Sequence, residues 1–166
     1  MQKIICFHNP DEINGFLSNW YPSRFIDENN ITYTSMEQYM MYQKAVLFGD
    51  LKIAEKIIDT DNPAEIKALG RQVSGFKDGI WSQHKYNIVL KGVYLKFTQN
   101  PELKEKLLSY GGSECIFAEC AVNDKVWGIG LSMKSPERFD KSCWLGKNLL
   151  GNALTETRDN LIEKSV

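Results

Sequence analysis

Ser35-Met36-Glu37-Gln38-Tyr39-Met40-Met41-Tyr42-Gln43-Lys44-Ala45-Val46-Leu47-Phe48 is the stretch on which both fold and chemistry turn. Thr34 or Ser35 offers a hydroxyl cap, no proline interrupts the run, and Gly49 ends it or marks a junction with a second helical run, Leu51 to Ile58. At about 100° per residue, Glu37 and Lys44 fall almost in register. Met40 and Leu47 border that stripe on one side, Met41 and Phe48 on the other. Both charges are therefore set into an apolar surface. An unpaired buried charge is costly, so the pattern predicts a pocket, a mutual ion pair, separate polar partners in the core, or a lysine reaching out to water.

Upstream, Ile4, Ile5 and Phe7 read as a short strand, followed by turn residues at Asn9-Pro10-Asp11 and Asn14-Gly15. Phe25-Ile26 and Ile31-Thr32-Tyr33, joined by Asp27-Glu28-Asn29-Asn30, read as a hairpin that delivers the chain into the Ser35 helix. Downstream, Asn62-Pro63 gives a cap with proline at the first helical position, opening a helix that ends near Gly70. The longest helical stretch runs from about Asp78 to Thr98. Trp81, Ile88 and Leu95 form one apolar stripe and Tyr86, Val89, Val93 and Phe97 another, which predicts packing on both sides. His84 shares the first stripe and reads as a core or hydrogen-bonded histidine.

Asn100-Pro101 repeats the cap-and-proline signal for a helix to about Tyr110, closed by Gly111-Gly112. Cys115 to Cys120 reads as a core strand, residues 123–142 as a loop without period, and about Asn148 to Glu163 as a last helix with Leu150, Ala153, Leu154, Thr157 and Leu161 on one face. The expected architecture is α+β: a single compact, helix-rich domain with a small β-sheet spanning residues 1–166.

Apolar residues at 43% supply a packed core, which excludes a disordered chain. A formal net charge of -1 gives no basic field for wrapping a nucleic-acid backbone, yet leaves room for a few local cations around a small phosphorylated ligand. No apolar run has the length of a signal peptide or a membrane span, so the expected location is cytoplasmic, without a membrane partner. Cys6, Cys115, Cys120 and Cys143 lack CxxC spacing, and only His8 and His84 are present. No metal and no cofactor are expected, and the thiols read as reduced and structural.

A second candidate constellation runs from Glu119 to Gly130, where a strand gives way to a loop. Glu119 and Asp124 are placed to orient sugar hydroxyls or water. Trp127 offers a stacking face, and Gly128 and Gly130 permit close approach to the backbone. The same residues would equally serve as a turn acid and a core tryptophan. Arg71 suits a forked contact with phosphate. Lys147 and Asn148 open the last helix, whose free N–H groups form a candidate anion site. No Ser/His/Asp triad, P-loop or dinucleotide fingerprint is present.

In order, Phe16-Leu17-Ser18-Asn19-Trp20-Tyr21-Pro22, Glu37 to Lys44, Gly70-Arg71, the Trp81 helix, Asp124 to Gly130 and Gly146 to Gly151 resemble the NADAR/YbiA family over nearly the whole chain. Each motif alone is weak; the ordered set is specific. The resemblance implies a compact α+β fold and an N-glycosidase acting on phosphorylated ribosylamines of early riboflavin synthesis. In some branches the substrate is ADP-ribose on guanine in nucleic acid. It places Glu37, Lys44 and Asp124 in catalysis. Ser18, Asn19, Trp20, Arg71, Trp81, Glu119, Trp127, Gly128, Lys147 and Asn148 are expected to bind substrate. No obligate protein partner is expected. Gln38 departs from the family, where many members carry histidine.

Overall fold

The computed structural model describes residues 1–166. In chain order the elements are β1 (Lys3–Phe7), β2 (Phe25–Ile26), β3 (Thr32–Tyr33), α1 (Met36–Leu47), α2 (Leu51–Ile58), α3 (Pro63–Gly70), α4 (Asp78–Gln99), α5 (Pro101–Ser109), β4 (Cys115–Glu119) and α6 (Leu149–Lys164). The class is α+β. Two compact units are formed: Asn19–Asn100, and Met1–Ser18 together with Pro101–Val166. No helix is long and apolar enough to cross a membrane.

In the unit Asn19–Asn100, β2 and β3 pair antiparallel, with Phe25 opposite Tyr33. Their turn is built by Asp27, whose Oδ1 accepts the N–H groups of Asn29 (2.9 Å) and Ile31 (3.0 Å) while Oδ2 accepts the Tyr33 hydroxyl at 2.7 Å. The helix starts follow the capping chemistry of the sequence. The Ser35 hydroxyl accepts the Gln38 N–H, and Asn62 Oδ1 accepts those of Ala64 and Glu65 with Pro63 at the first position. α1 is the central element, with Met36, Tyr39, Met40, Met41 and Ala45 buried and α2, α3 and α4 packed around it. Gly92 of α4 permits the close crossing: a Cβ there would lie 2.5 Å from the Tyr39 ring. That distance is well inside contact range, so any larger residue pushes the helices apart.

In the other unit β1 and β4 pair parallel, from Lys3 opposite Cys115 to Phe7 opposite Glu119. A two-stranded parallel sheet leaves the outer edge of β4 without a strand, and side chains of α6 take its place. Thr155 Oγ1 accepts the Phe117 N–H (3.1 Å), and Asn148 donates to the Phe117 carbonyl (2.8 Å) while accepting the Glu119 N–H (3.1 Å). Arg158 donates to the Cys115 carbonyl at 2.6 Å. Leu150, Ala153, Leu154, Thr157 and Leu161 are buried on the inner face of α6, as its period predicts.

Two expectations need correction. His84 is exposed on α4 rather than buried, because the inner face of that helix runs through Val89, Gly92, Val93, Lys96 and Phe97. Ile88 and Leu95 are only partly buried. The start of the last helix also departs from expectation, because its first N–H groups are bonded to the preceding loop.

Candidate functional site

The candidates divide between the two units. Asn19, Trp20, Glu37, Lys44, Arg71 and Trp81 belong to Asn19–Asn100; Ser18, Glu119, Asp124, Trp127, Gly128, Lys147 and Asn148 belong to the other.

In the first group, the early turn of α1 carries Glu37, 5% exposed, whose N–H donates to the Asn19 carbonyl at 2.9 Å. Asn19 is itself buried, and its side-chain Oδ1 is closed off from solvent without a hydrogen-bond partner. Trp20 beside it is half-buried. Two turns along α1, the Lys44 ammonium donates to the Gly70 carbonyl at 2.8 Å. It lies 4.7 Å from the centre of the Phe76 ring and 5.9 Å from that of Trp81, which is buried on α4. Burial in this aromatic corner lowers the Lys44 pKa. The Glu37 carboxylate opposes that shift, and the Arg71 guanidinium adds to it. Arg71 itself is exposed at the end of α3, placed to meet an anion arriving from solvent.

α1 therefore presents a buried carboxylate and a lysine with weakened hold on its proton, within electrostatic reach of each other. Such environments move titratable groups toward catalytic use. A surface depression bordered by Ile31, Tyr42, Glu55, Ile58 and Asp59 includes none of the candidates and no cation for a phosphate.

Gln38, the next residue on α1, faces a different way. It is 1% exposed; its Oε1 accepts the Thr34 N–H at 2.7 Å, and its Nε2 donates to the carbonyls of Ile57 (3.0 Å) and Thr60 (2.9 Å). The amide ties the entry of α1 to the exit of α2. Its amide is engaged by the backbone of Thr34, Ile57 and Thr60 and by the Thr34 hydroxyl.

In the second group, Asp124 Oδ1 accepts the N–H groups of Val126 (3.0 Å) and Trp127 (2.8 Å), so this carboxylate organises its own loop. Trp127 is half-buried. Glu119 ends β4, and its carbonyl accepts the Ile129 N–H at 2.8 Å, folding the loop back on the strand. A Cβ on Gly128 would stand 2.8 Å from the Glu119 carbonyl oxygen and 3.0 Å from that of Asp124. The loop's own backbone therefore requires a residue without a Cβ here. Ser18 is buried at the end of a short 3-10 turn.

The expected phosphate site at the start of α6 is corrected by the same loop. The N–H groups of Lys147, Asn148, Leu149 and Leu150 donate to the carbonyls of Lys125, Gly128, Val126 and Trp127 at 2.9–3.1 Å, leaving none of these four for an anion. Asn148, with φ 54, is the clamp on the edge of β4 and is 2% exposed. Only Lys147 remains exposed. No group of three or more His, Cys, Asp or Glu side chains is placed to hold a metal ion.

The NADAR domain model matches residues 6–162. The chain belongs to the NADAR family. It is 39% identical over 164 residues to an N-glycosidase of Acanthamoeba polyphaga mimivirus, covering 95% of each chain. It is 27% identical to an N-glycosidase of Nostoc punctiforme, over 95% of this chain and 92% of the other. A riboflavin biosynthesis protein of Vibrio vulnificus is 30% identical over 98% of this chain, which spans 40% of that protein. Among solved structures, Escherichia coli YbiA superposes with a TM-score of 0.79 at 28% identity, over 99% of this chain and 89% of YbiA. The α+β architecture is thus that of YbiA.

Two buried cations of this NADAR chain escape a reading of the sequence. Lys96 is 1% exposed, 5.6 Å from the Tyr21 ring and 5.1 Å from that of Phe97. Arg158 is fully buried against Phe117. The signal for Lys96 was available: it stands seven positions after Val89 and next to Phe97, in register with the buried face of α4.

Proposed function

We propose that this NADAR protein hydrolyses the bond between C1 of a phosphorylated ribose and an exocyclic amine, with ribosylaminopyrimidine phosphates as substrates. The enzyme class follows from family membership: the chain is a hydrolase of N-glycosyl compounds, and its relatives include two proteins named N-glycosidase. The riboflavin biosynthesis protein among them supports the pyrimidine substrate.

The observation that carries the mechanism is Lys44 in its aromatic corner, its pKa lowered by burial, on the same helix as buried Glu37. A ribosylamine opens to an imine at C1. The neutral Lys44 amine adds to that carbon, Glu37 hands a proton to the departing nitrogen, and the amine leaves as its bond to C1 breaks. A lysine–C1 imine remains. Water adds to C1, and the lysine is released with the free sugar aldehyde, so that one water is consumed per bond cleaved. Arg71 receives the phosphate as a forked partner from the exposed side. Trp20 and Trp81 offer flat faces to the base.

Incubating purified protein with a ribosylaminopyrimidine phosphate, and separately with ADP-ribosylated guanine, and following amine release tests this reading. Turnover of the first supports it. Turnover of the second alone moves the protein to removal of ADP-ribose from nucleic acid, and binding of both without release makes it a non-catalytic module.

A further inference from the structure

Most buried polar side chains of the Asn19–Asn100 unit have a visible reason for being there. Asp27 closes a turn, Gln38 joins two helices, and Ser35 caps α1. Asn19 does not fit this pattern. Its main chain is used, since its carbonyl takes the Glu37 N–H at 2.9 Å. Its side-chain oxygen is buried and accepts nothing. Burying an acceptor without a donor is unfavourable, and such atoms in native proteins mark places where a ligand or a water completes the bond.

Position narrows the choice. The main-chain bond between Asn19 and Glu37 holds Asn19 against the first turn of α1, which carries the residue assigned to proton transfer at the leaving nitrogen. Resting on the N-glycosidase reading above, we infer that Asn19 Oδ1 accepts the N–H of the scissile amine and makes the enzyme selective for N-glycosides whose linking nitrogen bears a hydrogen. An exocyclic ribosylamine has one N–H at that nitrogen and gains a second as it is protonated to leave. The contact therefore strengthens as the bond breaks, which lowers the barrier rather than merely holding the substrate. An ordinary nucleotide, joined through a ring nitrogen with no hydrogen, leaves the acceptor buried and unfilled, so a donor-requiring site rejects it.

Asn19→Leu and Asn19→Asp separate this role from a structural one. Leucine keeps the volume and removes the orphan acceptor, so the thermal midpoint is expected to hold or rise, by about 2–4 °C. Turnover of the ribosylaminopyrimidine phosphate is expected to fall roughly 10- to 100-fold, mostly in kcat. Asn19→Asp, which keeps an acceptor at that place, is expected to retain more activity than Asn19→Leu. A clear fall in midpoint for Asn19→Leu overturns the inference whatever the substrate proves to be, because the amide would then be a structural partner. Full activity of Asn19→Leu on a substrate the wild type cleaves overturns it as well. Wild-type failure on the ribosylamine, with the midpoint of Asn19→Leu unchanged or raised, counts against the functional reading and leaves the buried acceptor pointing to a donor of a different ligand.

Discussion

Replacing Lys96 with methionine is expected to stabilise the protein at neutral and acidic pH, by an amount that shrinks as pH rises. Burial alone brings the Lys96 pKa down to about 7 from an ordinary 10.5. A gap of roughly 3.5 pH units at about 1.4 kcal/mol each is a cost on the order of 5 kcal/mol for holding the ammonium in the folded state. The sign follows from proton counts. Below pH 7 lysine is charged in both states and the full cost applies; between about 7 and 10.5 the unfolded chain holds more protons, so stability climbs with pH; above 10.5 the cost is gone. Methionine has a similar volume and no charge, so its packing contribution is independent of pH. The advantage of Lys96→Met should therefore fall by about 3 kcal/mol between pH 6 and pH 9.5. Urea unfolding of both proteins across that range measures it. The difference between variants is the quantity to follow, because Tyr33 and Tyr39 oppose the trend at its alkaline end. Burial raises both phenols, helped at Tyr33 by Asp27, so the stability they hold below pH 10 is lost above it. An advantage that stays flat with pH, or a variant less stable at pH 6, refutes the reasoning and means that the environment of Lys96 compensates its charge in full.

Glu37→Gln preserves shape and removes proton transfer, so steady-state rates should fall roughly 100-fold or more with the circular-dichroism melt little changed. Gln38→Leu should act the other way, leaving the Thr34 N–H and the Ile57 and Thr60 carbonyls without their partner. A loss of about 2–4 kcal/mol in urea unfolding is expected, with kcat of the folded fraction near wild type, and an intact melt would show that water replaces the amide.

What was legible in the sequence was local. Ser35, Asn62 and Pro63 announce helix starts because a cap needs only the next three residues, and their helices begin as expected. Asp27 to Asn30 announces its hairpin for the same reason. The pairing of β1 with β4 was not legible, since the partners are separated by more than 100 residues and parallel strands leave no turn between them. Nor was the role of Asn148, which at the start of a helix looks like an anion site and in the fold completes a strand edge. Glu37 and Lys44 stood out because two charges shared an apolar stripe. Lys96 obeys the same rule on α4, but its neighbours on that helix are mixed and the stripe is harder to see. The orphan oxygen of Asn19 is a property of packing alone and leaves no trace in composition or period.

Lys44 is the group proposed to attack C1. Mixing protein and ribosylaminopyrimidine phosphate with borohydride, then mapping the modified peptide by mass spectrometry, tests this directly. A reduced ribosyl phosphate adduct on Lys44 is expected, absent in Lys44→Arg, whose guanidinium stays protonated and cannot form the imine. Amine release without any trapped adduct, together with substantial activity in Lys44→Arg, would contradict covalent catalysis and leave direct attack by water.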